Sequence, residues 1–242
     1  SQIPATYLPA NHPYAVEGLA TIAHDTARGI SLLEEVGWMD KDDDPATPRE
    51  SSGISGIING TPFSITYNVT QSPLHSSVTD IVVSSLAECG IEVTPQYLSV
   101  EDMFAAGPDG VVFGRAFDLA ELAWSTGRQP PCFLYSSAEI PGASNGWLGT
   151  KFGGVNITGY ENDVYDAACS RMFSTGLDTA AFTSDNETTQ RLIAEELPVL
   201  PLFYHLKVMA ARADLCGVSL DVSARSGINH LESYSLTTGT CP

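Results

Sequence analysis

Hydrophobic and polar positions follow distinct patterns in separate stretches of the chain. Between residues 63 and 69 every second residue is apolar or aromatic, which predicts a half-buried strand. From Leu74 to Cys89 apolar residues recur at helical spacing, and Gly90 marks the expected end of that helix. Residues 91–93 predict the next strand. Strand, helix and strand in this order form a βαβ unit, so we expect a parallel sheet.

Further elements are predicted on both sides of this unit. Residues 25–36 have a helical pattern, with a capping residue at the start and Gly37 at the end. Ser99 and Asp102 resemble a capping box that opens a short helix over 100–106. The remaining predicted elements are strands over 117–124 and 200–208 and helices over 162–174 and 183–197. The predicted fold class is α/β, with a mixed β-sheet flanked by helices.

Two stretches lack a regular pattern. Residues 1–16 are rich in proline, which indicates an extended connector. Residues 125–160 combine glycine, proline, serine and asparagine with interleaved aromatic residues. Loops of such length in compact domains are usually functional or mobile.

Composition limits the classes of function. The chain has 242 residues and a formal net charge of −18. Nucleic acids and anionic membranes both require basic patches, so this charge argues against each of them as a partner. No stretch approaches the roughly 20 apolar residues of a membrane span. The chain opens at Ser1 without a signal-peptide pattern, so we expect the start of an exported protein to lie upstream.

The five cysteines form no C-x-x-C pair, so neither a zinc ribbon nor a thioredoxin-type site is expected. Their wide spacing is typical of structural disulfides in an oxidising compartment, although free cysteines in a cytosolic protein would give the same pattern. We favour the pairs Cys132–Cys169 and Cys216–Cys241, with Cys89 unpaired. The sequence alone does not fix this connectivity.

Three other patterns bear on chemistry. Gly142–Gly146 matches the G-x-S-x-G elbow of serine hydrolases, but turn residues surround Ser144 where the elbow needs a strand and a helix. A secreted serine hydrolase built on Ser144 stays as an alternative. The acidic run Asp40–Asp44 lacks the spacing of a calcium loop, and Pro45 interrupts it. The histidines show no paired metal-ligand spacing, so no metal or other cofactor is expected.

Five motifs occur in a characteristic order. They are Gly29–Asp44 with its Leu-Leu-Glu-Glu-Val-Gly-Trp core, Leu86–Val93, Phe117–Asp118 with Trp124, Asn156–Asn162 with Asp166, and Glu196–Phe203. Their order and spacing resemble family 5 of the extracytoplasmic solute-binding proteins. These proteins are the oligopeptide, dipeptide and nickel binders of ABC importers.

The resemblance implies two α/β lobes of the class II periplasmic binding protein type, with the solute enclosed between them. It implies that residues 1–16 connect from lobe one, that residues 17–198 form lobe two and that residues 199–242 return towards lobe one. The implied function is capture of a small solute, such as a peptide, sugar or chelate, by hinge closure for an ABC permease, without catalysis. A monomer outside the cytoplasm is expected, lipid-anchored through an upstream N-terminus.

Five residues are candidates for contact with the solute. Trp124 offers an aromatic wall, with core packing as the other interpretation. Arg128 can pair with a ligand carboxylate or be a solvated loop arginine. Trp147 lies in the long irregular stretch, and Asn156 and Tyr160 either line the cleft or build the turn into the next helix.

One position departs from the family pattern. In peptide binders of the family an aspartate lies three residues after the tryptophan that matches Trp124 and takes the amino terminus of the peptide. This chain has Gly127 there, so the implied solute is not restricted to peptides. A secreted structural or adhesion module without a small ligand is the second alternative, and it predicts no cleft lined by Trp124 and Trp147.

Overall fold

The chain forms two compact units in a computed structural model. The sheet unit comprises Ile22–Ala123 and Phe133–Glu161, and the helix-pair unit comprises the chain up to Thr21, Trp124–Cys132 and the chain from Asn162 onward. The structure describes residues 4–44, 46–205, 208–220, 230–239 and 241. This division differs from the connector, lobe and return segment expected above, whose assignment stays a prediction.

The sheet unit holds most of the strands. Its helices are α1 (Thr26–Val36), α2 (Pro73–Ala87) and α3 (Val100–Met103), and its strands are β1 (Trp38–Met39), β2 (Glu50–Ser51), β3 (Ser64–Thr70), β4 (Glu92–Leu98) and β5 (Leu119–Ala120). The helix-pair unit contains α4 (Asp163–Ser174), α5 (Ala180–Glu196), β6 (Leu215–Cys216) and β7 (Ser235–Leu236). Short 3-10 turns cover Cys132–Tyr135, Ser137–Glu139, Ala143–Asn145 and Leu231–Ser233.

The predicted βαβ unit is confirmed. Strand β3 lies between β4 and β5 and runs parallel to both of them. Tyr67, Val69 and Val93 are buried in the sheet and pack with apolar residues of α2, including Val82 and Leu86. Apolar side chains on one face of α2 therefore cover one face of the sheet, as the helical spacing of the sequence predicts.

Local chemistry sets the ends of the helices. The Asp25 carboxylate accepts a 2.8 Å hydrogen bond from the Arg28 amide and begins α1. Gly37 ends the helix in the left-handed region, at φ 104°. A Cβ atom at Gly37 would lie 2.6 Å from the Ser52 carbonyl oxygen, so no other residue fits there without a shift. The side chain of Ser99 caps α3 as predicted, but the helix ends at Met103 rather than at residue 106.

Two predicted strands are wrong in extent. The strand expected over 117–124 is reduced to Leu119–Ala120. The alternation over 200–208 forms no strand at residues 200–205 or 208, and Leu206 lies outside the described residues. Leu200 and Val208 are 65% and 85% exposed, so neither of these two side chains packs into a core here. The antiparallel pair of β1 and β2 was not predicted, because each strand has only two residues.

In the helix-pair unit, α4 packs against α5 around buried side chains that include Tyr165, Met172, Phe182 and Ile193. The disulfides Cys132–Cys169 and Cys216–Cys241 are both present, and Cys89 is a free thiol. None of the helices in the described part of the chain has the length and hydrophobicity needed to cross a membrane.

Candidate functional site

Trp124 and Arg128 lie on one irregular segment of the helix-pair unit. Trp124 is 39% exposed, and the side chain of Arg128 is exposed as well. The two positions are therefore accessible, in contrast to an aromatic residue that only fills a core.

A histidine fixes this segment to the N-terminal stretch of the same unit. His12 Nε2 lies 3.0 Å from the carbonyl oxygen of Gly127. The amide of Tyr14 donates a 3.2 Å hydrogen bond to His12 Nδ1. Because Nδ1 accepts, the proton of the neutral ring is on Nε2, which donates to Gly127. The backbone that carries Arg128 is thereby held in place by a defined tautomer.

Tyr14 links this segment to a carboxylate. Its hydroxyl donates a 2.8 Å hydrogen bond to Asp178, and its ring packs edge-on against Phe182 with centroids 5.1 Å apart. The hydrogen bond to Asp178 raises the pKa of Tyr14, while the neighbouring Arg128 guanidinium acts on the same hydroxyl in the opposite direction. The Tyr14 oxygen thus lies beside both charged groups.

Trp147 belongs to the sheet unit. Its amide donates to the Gly142 carbonyl at 2.9 Å and to the Asn145 side chain at 3.1 Å, and its backbone is left-handed, with φ 65°. The indole lies against Gly107, where a Cβ atom would approach Cε3 to 2.7 Å. Glycine at this position therefore allows the indole to pack on the backbone.

A buried carboxylate organises the loop that follows Trp147. Glu139 is 2% exposed. It accepts hydrogen bonds from the backbone amides of Lys151 at 2.7 Å, Phe152 at 3.0 Å and Gly154 at 3.3 Å. The hydroxyl of Thr150 donates to the same carboxylate. Several donors compensate for the desolvation of this charge and fix the path of the loop.

Asn156 and Tyr160 are brought together in the sheet unit. Asn156 is fully buried, and its side-chain amide donates to the carbonyls of Ser136 and Tyr160, each at 2.9 Å. Its oxygen accepts from Thr158 at 2.9 Å. Both amide hydrogens are used within the protein, so this side chain holds the turn that presents Tyr160.

The candidate residues are divided between the units, with Trp124 and Arg128 in one and Trp147, Asn156 and Tyr160 in the other. Sequence reasoning missed His12, Tyr14 and Asp178. No motif connects them, because the hydrogen bond of Tyr14 spans 164 positions to Asp178.

The context of Ser144 does not match a hydrolase. It lies in the 3-10 turn Ala143–Asn145, and no strand in the described part of the chain leads directly into that turn. A nucleophile elbow requires a strand before the serine and a helix after it. Within the described residues, no group of three or more His, Cys, Asp or Glu side chains is placed to hold a metal ion.

The chain matches no protein-family model, and a comparison with curated proteins finds no match. Its fold has clear counterparts among solved structures. AppA of Bacillus subtilis, an oligopeptide-binding protein in complex with a nonapeptide, is 20% identical with a TM-score of 0.72. The match covers 98% of this chain and 42% of AppA.

Two further structures agree. An oligopeptide-binding protein of Thermus thermophilus with a pentapeptide is 21% identical with a TM-score of 0.67, over 84% of this chain and 33% of that one. NikA of Brucella suis, in complex with Fe(III)-EDTA, is 21% identical with a TM-score of 0.62. That match covers 83% of this chain and 36% of NikA.

This chain has the fold of these solute-binding proteins. The α/β class and the resemblance seen in the motifs are confirmed at the level of fold. The chain spans between 33% and 42% of the length of the first two of these proteins. Two of the three are named oligopeptide-binding proteins, and the third was solved in complex with a metal chelate.

Proposed function

We propose that this chain is the C-terminal portion, including lobe two, of the solute-binding component of an ABC importer. It captures a small solute by hinge closure and catalyses no reaction. The observation that carries the proposal is the fold shared with proteins that hold a peptide or a metal chelate. The order of the sequence motifs supports it independently.

The lobe assignment is part of the proposal. Residues 1–16 would enter from lobe one, residues 17–198 would form lobe two, and residues 199–242 would return. Exposed apolar side chains support the return of residues 199–242 to lobe one. Leu200, Leu202 and Phe203 are 65%, 39% and 38% exposed. A packing surface in lobe one would remove them from water.

The proposed binding residues divide into contacts and supports. Trp124, Arg128, Trp147 and Tyr160 would contact the solute. Asn156 would act indirectly by holding the Tyr160 backbone. Aromatic walls with a few polar groups are common in ligand sites.

The proposal also covers the location and the partner of the protein. The protein would work as a lipid-anchored monomer outside the cytoplasm and deliver its solute to a membrane permease. The two disulfides support an oxidising compartment.

The test uses the full-length protein. Native mass spectrometry before and after mild denaturation should release a small solute, and X-ray scattering should show compaction when the solute is returned. Trp124→Ala should lower occupancy, whereas Trp38→Phe should not, because Trp38 stacks on Phe63 at 4.2 Å within the sheet unit.

A protein that neither releases a solute nor takes one up from a peptone extract would contradict the proposal. Ester hydrolysis that is lost in Ser144→Ala would support the hydrolase instead.

A further inference from the structure

We infer that the captured solute carries a carboxylate, which Arg128 binds while Trp124 packs against the apolar part of the same solute. The inference rests on the proposed function and names the chemical class of its ligand. Three features of the helix-pair unit support it.

The first feature is the unused capacity of Arg128. In the described part of the chain Arg49, Arg171, Arg191 and Arg212 each pair with a carboxylate within 4.0 Å, whereas Arg128, like Arg28 and Arg115, has no such partner. A guanidinium has five donors in a planar fork that matches a carboxylate. The neighbouring Tyr14 hydroxyl can occupy at most part of that fork.

The second feature is an acid that already accepts a hydrogen bond from the protein. Asp178 accepts the hydrogen bond of Tyr14 at 2.8 Å, and Arg128 acts on the same tyrosine hydroxyl. Among the described residues Asp178 and Arg128 form no direct ion pair within 4.0 Å. An ammonium group of a solute would meet the positive charge of Arg128, whereas a carboxylate would complete its hydrogen bonds.

The third feature is the fixed backbone. The hydrogen bond between His12 and Gly127 holds the residue immediately before Arg128. An arginine on a fixed backbone loses less backbone entropy on binding than one on a free loop. Closure would also remove water from the contact and strengthen it.

Three substitutions in the full-length protein test the inference. Arg128→Gln removes the charge, Arg128→Lys keeps the charge but loses the planar fork, and Arg191→Gln is the control. Arg191 is a suitable control because it is an exposed helix arginine paired only with Glu187 within the described residues. Each protein is loaded from a peptone and yeast extract, dialysed and denatured, and the released solute is quantified by mass spectrometry.

The charge of the solute is read from its electrophoretic mobility at pH 7. Wild type and Arg191→Gln should release an acid. Affinity for this isolated acid should fall about tenfold or more in Arg128→Gln and by a smaller factor in Arg128→Lys. Amidation of its carboxylate should reduce binding to wild type and leave Arg128→Gln unaffected.

Two results would overturn the inference while leaving the proposed function intact. One is a released solute that is neutral or cationic at pH 7. The other is an acid that binds equally well to wild type and Arg128→Gln. A wild-type protein that takes up nothing would instead contradict the proposed function, and the inference would fall with it.

Discussion

The hydroxyl of Tyr67 donates a 2.7 Å hydrogen bond to the carboxylate of Glu121, and both residues are buried. The bond joins β3 to the residue that follows β5. Burial raises the pKa of Tyr67, and the hydrogen bond to Glu121 raises it further. This side-chain contact therefore holds the edge strand β5 in place, in addition to its few backbone hydrogen bonds to β3.

Tyr67→Phe should therefore destabilise the protein. The substitution keeps the ring but leaves the Glu121 carboxylate without this donor, which costs about 1–3 kcal/mol in the free energy of unfolding. Urea denaturation at pH 7 measures the loss. Tyr97→Phe is the matched control, because Tyr97 is 44% exposed on β4. Equal stability of the two variants would contradict the role given to the bond.

Glu139→Ala should release the loop after Trp147. The carboxylate accepts three backbone amides of residues 151–154, and alanine removes all of these bonds at once. Trypsin cleaves after lysine, so cleavage after Lys151 should accelerate by about tenfold or more, because local opening controls proteolysis. Mass spectrometry of timed digests identifies the cut. Glu161→Ala, at an exposed position, should leave the rate unchanged.

The ion pair between α4 and α5 gives a third prediction. Arg171 binds Asp185 through Nε and Nη2, with the shortest distance 2.6 Å, and Asp185 is 7% exposed. Arg171→Gln leaves a buried carboxylate with its main partner gone, so the free energy of unfolding should fall further than it does in Arg191→Gln. Arg191→Gln, which breaks an exposed pair, should change stability by less than about 0.5 kcal/mol. If both variants lost a similar amount of free energy of unfolding, the Arg171–Asp185 pair would not be the stronger contact.

Alkaline pH gives a fourth prediction. Burial raises the pKa of Tyr7 from 10.0 to about 12, and its hydroxyl lies 3.2 Å from that of Thr189 on α5. The folded state therefore binds the proton more tightly than the unfolded chain. The stabilisation is complete below pH 10 and is lost as the pH rises towards 12.

Urea denaturation between about pH 9 and pH 12 tests whether stability falls with rising pH as expected. Stability of wild type should fall more steeply than that of Tyr7→Phe, which has no proton to lose at this position. Tyr97→Phe should keep the steep profile of wild type. Parallel profiles for wild type and Tyr7→Phe would show that Tyr7 does not contribute to the alkaline loss.

Local chemistry explains what could be predicted from the sequence. The apolar spacing of α2, the cap at Asp25 and the stop at Gly37 act over a few residues, and each appears in the structure as expected. The parallel pairing of β3 and β4 follows from chain order and from the length of the helix between them.

Contacts between distant residues explain the rest. The alternation over 200–205 resembles that of a strand. A strand also needs a second strand to pair with, and residues close in the sequence do not show whether one is present. The contacts of Tyr14 and Arg171 join positions 164 and 14 residues apart along the chain. The contacts that hold the segment around Arg128 could therefore not be predicted from the sequence.

The turn from Asn156 to Tyr160 also limits what substitutions in it can show. Gly159 has φ 71°, and a side chain there would overlap the guanidinium of Arg115, while Asn156 spends its amide hydrogens on the turn itself. The turn itself therefore requires both residues, whatever the chain binds. A substitution at Gly159 or Asn156 should thus disturb the folded chain even when no ligand is present, so a loss of binding in such a variant would not identify either residue as a ligand contact.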